Sequence, residues 1–250
     1  MAGHSKWSSI KHQKGAKDAK RGALFTKLAR AIQVAAKEGG GDPEGNAALA
    51  NAIQKAKDQS MPKDNIERAI AKGTGADSDA EAFETVVYEG YGPGGVAFLV
   101  EALTDNRNRT GSEVRHIFSK AGGSLGEPGS VAWQFEKKGI LLVDAERFSE
   151  DDLMVAIDAG AEDVTQDDTV WEIVTEPGAL QEVRIALEGA GVELQNAELT
   201  MRPTTSVDLD EDGARKVLRL IEALDDQDDV NAVHANFEAD ADVLERVAAA

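Results

Sequence analysis

The residues in this chain whose types and spacing could do chemistry are mainly cations. Lys6, Lys11, Lys14, Lys17, Lys20, Arg21, Lys27 and Arg30 stand in the first stretch of the chain against a single acid, Asp18. His4, Trp7 and His12 are interleaved with them. Lys and Arg side chains that reach phosphates together release condensed counterions. The pattern is therefore expected to bind a polyanion with a steep salt dependence. Trp7 offers a face on which an unpaired base could stack, and His12 a ring nitrogen within reach of a base or phosphate.

A second candidate is Asp105-Asn-Arg-Asn-Arg-Thr110, which follows an apolar strand and opens a helix. Backbone amides at a helix N-terminus, flanked by Arg107 and Arg109, would hold a phosphate. The competing reading is a cap, with Asn108 or Thr110 satisfying the first turn and the arginines paired with acids. Two other stretches have weaker claims. Gly90-Tyr-Gly-Pro-Gly-Gly95 lacks the Lys-Ser/Thr of a phosphate loop and is expected to be a hairpin turn with positive φ. Asp208-Leu-Asp-Glu-Asp-Gly213 opens like a calcium loop, but Arg219 stands where a bidentate Glu is needed. The four His show no close metal-ligand spacing, and there is no Cys. No nucleophile–base arrangement is legible, so the chain is expected to be no enzyme and to need no cofactor or metal.

Composition frames these residues. Of 250 residues 42% are hydrophobic, ordinary for a globular protein, and the net charge is −19. That charge is split. Residues 1–72 hold 14 Lys+Arg and 7 Asp+Glu, whereas residues 73–250 hold 13 and 39. One end should be drawn to phosphates and the other repelled by them. The apolar runs at 96–100 and 140–143 are too short to span a bilayer, and the N-terminus lacks the apolar core of a secretory signal. A cytoplasmic protein without membrane contact is expected.

The elements that must position these residues follow from periodicity. Residues 1–20 lack it and are expected to form a flexible basic arm. From about Arg21 a helix presents Leu24, Leu28, Ile32 and Ala35/Ala36 on one stripe, stopped by Gly39-Gly-Gly41. Asp42-Pro43 should start a second helix, burying Leu49, Ile53 and Ala56. A third, from about Pro62 to Gly73, carries Ile66, Ala69 and Ile70. After the polar linker 73–80 come strands at 85–89 and 96–100, a helix at 110–120, and a strand alternating Val131, Trp133 and Phe135. From Gly139 a complete β-α-β-β-α-β unit is legible. Its first helix should turn Leu153, Met154 and Ile157 inward, and its last strand changes alternation near Gln195-Asn196, as at a bulge. A helix at 213–224 and a strand at 230–237 then complete the unit begun at residue 81. The expected fold is α+β multidomain: an N-terminal three-helix domain followed by two ferredoxin-like α+β domains, the third inserted into the second. The boundaries are 1–20 for the arm, 21–75 helical, 81–137 plus 206–240 split, and 138–205 inserted.

Four blocks resemble one family. They are Met1-Ala-Gly-His-Ser-Lys-Trp with Lys11-His, Asp18-Ala-Lys-Arg-Gly and Phe25-Thr-Lys; Gly39-Gly-Gly-Asp-Pro43; Tyr88-Glu-Gly-Tyr-Gly-Pro-Gly-Gly95; and Asp105-Asn-Arg-Asn-Arg-Thr110 followed by Glu113-Val-Arg-His116. Together they are similar to the signature of the YebC/PmpR family across essentially the whole chain. That resemblance implies a helical domain followed by two α+β domains. It also implies a probable transcriptional regulator that binds DNA. Mitochondrial members of the family are translational activators, and some bacterial members act on stalled ribosomes.

The function expected is thus a probable transcriptional regulatory protein binding DNA through the basic arm and helical domain. The alternative is a ribosome-associated translation factor that meets ribosomal or transfer RNA. The candidate nucleic-acid-binding residues are Lys6, Trp7, Lys11, His12, Lys14, Lys17, Lys20, Arg21, Lys27, Arg30, Arg107 and Arg109. The acidic domains are expected to offer a surface to a protein partner. The third helix supplies few base-reading side chains beyond Asn65 and Arg68.

Overall fold

The computed structural model describes residues 18–75, 83–167 and 169–249. Helix α1 (Asp18–Gly39) is the spine of the N-terminal domain. One stripe, with Leu28, Ile32 and Ala36, packs on Leu49 and Ala56 of α2 (Ala47–Asp58) and on Ile66 and Ala69 of α3 (Lys63–Gly73). The start of α2 differs from expectation. Residues 42–45 form a turn in which Asp42 Oδ1 accepts from the Glu44 amide, and the helix is capped by Asn46. The Asn46 Oδ1 accepts from Leu49 N at 3.1 Å, while its Nδ2 donates to the Ala35 and Gly40 carbonyls at 2.8 and 2.9 Å. One buried amide thus caps α2 and ties off the end of α1, which Asp42 cannot do from its place in the turn. Gly73 lets α3 approach α1, since a Cβ there would lie 2.4 Å from the Gln33 carbonyl oxygen.

The first sheet has strand order β3-β1-β2-β9. Strands β1 (Glu84–Tyr91) and β2 (Ala97–Thr104) form its central antiparallel hairpin, with β3 (Ser124–Leu125) and β9 (Val230–Ala235) at the edges. The hairpin loop holds Gly94 at φ 74° and Gly95 at φ 79°, the positive φ its glycines permit. Helices α4 (Arg107–Lys120) and α7 (Glu211–Asp225) cover one face of this sheet. They enclose Phe98, Val100, Val114, Phe118, Val217 and Ile221, with Phe98 and Phe118 edge to face at 5.6 Å.

The second sheet has order β5-β6-β4-β7, every neighbouring pair antiparallel. Its strands are β4 (Phe135–Asp144), β5 (Ala161–Asp167), β6 (Val170–Thr175) and β7 (Leu194–Pro203). With α5 (Met154–Asp158) and α6 (Leu180–Gly189) on one face this is the ferredoxin-like order. The register shifts where Leu142 opposes Asn196 and Val143 opposes Leu194, leaving Gln195 as the bulge. The chain then returns through β8 (Val207–Asp208) and α7 to β9, which pairs with β2. The second α+β unit is therefore inserted into the first. The split sheet has the same two layers as the inserted one, with the β1/β2 hairpin at its centre. A short parallel pair, β8 with β10 (Phe237–Glu238), and helix α8 (Ala241–Ala249) close the described chain.

Two further local expectations are overturned. Trp133 is not on a strand: residues 132–134 form a 3-10 turn before β4, and the indole is 69% exposed. The first helix of the inserted unit is one short turn. Leu153 is buried, but Met154 and Ile157 face outward, because a 3-10 turn at 151–153 shifts their phase.

Candidate nucleic-acid interface

The candidate site residues separate into three groups. Lys6, Trp7, Lys11, His12, Lys14 and Lys17 lie outside the described residues. Lys20 falls in the first turn of α1, and Arg21 is exposed with its guanidinium 5.5 Å from the Phe25 ring. The third group, Lys27, Arg30, Arg107 and Arg109, has protein partners.

Lys27 and Arg30 project from α1 onto the loop between α7 and β9. The Lys27 Nζ donates to the carbonyls of Asp225 and of Gln227, the latter at 2.8 Å. Arg30 donates to the Asp228 carbonyl at 2.8 Å and to Asp229 Oδ1 at 3.1 Å, with its guanidinium over the Phe83 ring at 4.9 Å. The Asp225 carbonyl is at the C-terminal end of α7, where cations are favoured, and those of Gln227 and Asp228 follow it in the loop. Beside them Val34 and Ala31 of α1 pack on Phe83 and Leu103. The two cations therefore act as a clamp between the helical domain and the split domain.

Asp229 is the centre of that clamp. Its side chain is 3% exposed. Its Oδ2 accepts from Arg109 at 2.7 Å and from the Thr110 hydroxyl at 2.6 Å, and its amide donates to Gln227 Oε1 at 2.6 Å. Burial would raise the Asp229 carboxyl. The Arg109 and Thr110 hydrogen bonds, with the Arg109 and Arg30 charges, outweigh burial and hold it below the ordinary carboxylate range. Arg109 also reaches Asp105 at 2.7 Å, and Arg107 lies 3.3 Å from Glu84. The helix start is capped by Asn106, whose Oδ1 accepts from Arg109 N at 3.1 Å. Of the two readings of this block, the structure has the capping arrangement, made by Asn106 rather than by Asn108 or Thr110. Sequence reasoning missed Asp229 because, within Asp225-Asp-Gln-Asp-Asp229, nothing local marks which acid is buried.

A second carboxylate organises the far edge of the split sheet. Glu89 accepts from the amides of Gly129, Val131 and Ala132 at 2.6, 2.7 and 2.8 Å. Burial would raise its pKa, but the three backbone donors lower it below the usual range. The loop so held displays Trp133, and Trp133 Nε1 and the Tyr91 hydroxyl both donate to the Ser130 carbonyl.

The inserted domain is tied to α2. Lys55 reaches Glu198 of β7 at 3.0 Å, and Arg184 of α6 holds Asp58 through two nitrogens at 3.0 and 2.9 Å. Beneath them His234 lies 3.2 Å from Thr200 and 3.6 Å from Glu101. No group of three metal-ligating side chains occurs among the described residues. No helix among them is long and apolar enough to cross a membrane.

Comparison with known proteins agrees with this architecture. Residues 5–76 match the model of the TACO1/YebC protein N-terminal domain, and residues 83–237 match that of the TACO1/YebC second and third domain. A probable transcriptional regulatory protein of Rubrobacter xylanophilus is 58% identical over 99% of this chain and 100% of its own. One of Desulfotalea psychrophila is 54% identical over the same shares. The crystal structure of a conserved hypothetical protein from Aquifex aeolicus superposes with a TM-score of 0.79 at 51% identity, covering 89% of this chain and 92% of that one. With both family models spanning its domains in order, the chain belongs to the TACO1/YebC family.

Proposed function

We propose that this protein is a transcriptional regulator that binds DNA through its basic arm. The observation that carries the reading is the placement of charge. The cations before Asp18, with Lys20 and Arg21 at the start of α1, lead out of a chain whose remainder from residue 73 is strongly acidic. In this reading Lys6, Lys11, Lys14, Lys17, Lys20 and Arg21 contact phosphates, while Trp7 and His12 approach bases. Lys27, Arg30 and Arg109 have a different task. Their partners lie inside the protein: Lys27 and Arg30 hold α1 at a set angle to the split domain, and Arg109 braces the Asp229 carboxylate that Arg30 meets. The names of the related proteins accord with a regulatory role.

The test is anisotropy of a labelled mixed-sequence DNA duplex across a salt series, comparing the intact protein with Lys6→Gln/Lys11→Gln/Lys14→Gln/Lys17→Gln. The variant should bind at least about 10-fold more weakly near 0.1 M salt, with the log–log salt slope reduced by roughly 3 to 4. An unchanged slope would remove the arm from the interface.

A second reading, a ribosome-associated translation factor, is favoured by the arm's content of one aromatic and two imidazole rings among lysines, which suits unpaired bases of structured RNA. Sedimentation of cell lysate at low salt separates the two. Co-migration with ribosomal particles that survives DNA digestion selects the translation factor, and absence from those fractions selects the DNA regulator.

A further inference from the structure

The positive charge of the acidic body is itself localised. Seven of the 13 Lys and Arg after residue 72 lie on α4 and α7, the helices that cover one face of the split sheet. Three of these are engaged: Arg107 with Glu84, Arg109 with Asp229, and Arg215 with Glu211 and Asp212. The other four, Arg115, Lys120, Lys216 and Arg219, are exposed and make no ion pair among the described residues. Of the six elsewhere in the body, five (Lys138, Arg147, Arg184, Arg202 and Arg246) are paired with acids, and Lys137 alone among the described residues there is exposed without an ion pair.

The four cations share a surface for a structural reason. On α4 the buried side is Thr110, Val114 and Phe118, so Arg115, His116 and Lys120 face outward. On α7 the buried side includes Val217, Leu218 and Ile221, so Lys216 and Arg219 face outward one turn apart. Both buried sides belong to one core, which sets the helices beside each other with their outer faces on the same side. Glu113, the acid of α4, accepts from Gln227 Nε2 at 2.6 Å, and Glu222 stands beyond Arg219 at the end of α7.

The α4 face also carries groups that can read bases. Asn108, Arg115 and Ser119 are exposed at spacings of seven and four, along one edge of a helix of 14 residues, about 21 Å long. Asn and Arg are the side chains that make two-point contacts with adenine and guanine edges. The major groove of B-DNA admits an α-helix, whereas that of an A-form RNA duplex is too narrow to be read by side chains. The occupant that fits a charged, polar helix face is therefore duplex DNA.

We infer that the outer faces of α4 and α7 form a second contact on DNA, with α4 set into the major groove and Lys216 and Arg219 on the flanking phosphates. This rests on the DNA-binding reading above and extends it from the arm to the folded body. The split domain then holds the duplex on one face while its acidic remainder keeps DNA off the others.

The experiment uses the full chain, a mixed-sequence DNA duplex and an RNA hairpin, with the arm variant measured in parallel. Arg115→Gln/Lys120→Gln/Lys216→Gln/Arg219→Gln should retain its melting temperature, bind the duplex at least about 10-fold more weakly near 0.1 M salt, and lose roughly 3 to 4 from the salt slope. Arg147→Gln/Arg246→Gln, which removes exposed paired cations elsewhere, should bind as the intact protein does. In selection from a randomised duplex pool, Asn108→Ala should relax the preferred sequence. If the fourfold variant keeps full affinity and slope while the arm variant loses them, the second contact is wrong and the arm reading stands. If the intact protein fails to bind the duplex at all, both are wrong. Loss confined to the RNA hairpin would show that the face holds RNA and would overturn the assignment to DNA.

Discussion

At the scale of single residues, Asp229 shows how a charge can be structural in a protein that presents many charges to solvent. Three side-chain donors, from α1 and α4, converge on its buried carboxylate, and its own amide donates to Gln227 Oε1 in the loop that carries it. Asp229→Ala would remove one acceptor from each of Arg30, Arg109 and Thr110. It should cost about 2 kcal/mol in urea unfolding, less than the roughly 3 to 5 kcal/mol of a fully buried broken pair because both arginines keep access to water. The pH dependence has a definite sign. The folded carboxyl lies below its ordinary value of 3.8, so its contribution is complete above that value and is lost as pH falls through the lower folded value. Asp229→Asn should therefore flatten the acid limb of the stability curve while leaving the neutral-to-alkaline limb parallel to that of the parent protein. A steep acid limb that persists unchanged in the variant would assign the acid loss to other carboxylates. Glu89 makes the second residue-scale case. Glu89→Ala should raise hydrogen exchange at the Gly129, Val131 and Ala132 amides at least about 10-fold, since each loses a charged acceptor.

Elements were legible where local periodicity and chemistry decide them, and illegible where packing does. The stripe of Leu24, Leu28 and Ile32 announced α1, and the broken alternation near Gln195 announced the bulge in β7. The start of α2 did not follow its local signal. Asp42-Pro43 is a common opening for a helix, yet Asn46 can cap α2 and bind the end of α1 at once, and that second gain depends on a neighbour. Met154 and Ile157 fit an inward stripe only if the helix is regular, and the 3-10 turn before them removes that regularity. At this scale Gly139→Ala is expected to be disruptive. Its Cβ would fall 2.3 Å from Thr175 Oγ1 and 2.9 Å from Leu180 Cβ, between β4, β6 and α6. A loss of about 1 to 3 kcal/mol in urea unfolding is expected for such overpacking, and a loss near zero would mean that α6 can shift outward.

For the whole molecule, two ion-pair sets decide how the domains sit. Lys27 and Arg30 fasten the helical domain to the split domain, where Arg109 braces the Asp229 carboxylate that Arg30 meets, while Lys55 with Glu198 and Arg184 with Asp58 fasten it to the inserted one. Both sets act on α1 and α2. A double-mutant cycle on Asp58→Ala and Arg184→Ala should give a coupling of about 0.5 to 1 kcal/mol that shrinks with added salt, as a partly exposed two-point pair requires. A coupling of zero would leave the packed side chains as the fastening. By itself the sequence determined the split of charge, the order of helices and strands and the insertion of one α+β unit into another, because each is written in composition or in periodicity over a few turns. Only the tertiary structure decided which cations remain for a ligand. Lys27 and Arg30 meet carbonyls and a carboxylate 198 to 200 positions away in the chain, and α4 lies beside α7 only because β9 crosses back to pair with β2 after the inserted unit. Contacts across such separations depend on how whole elements pack, and no local pattern around a lysine or an arginine encodes them.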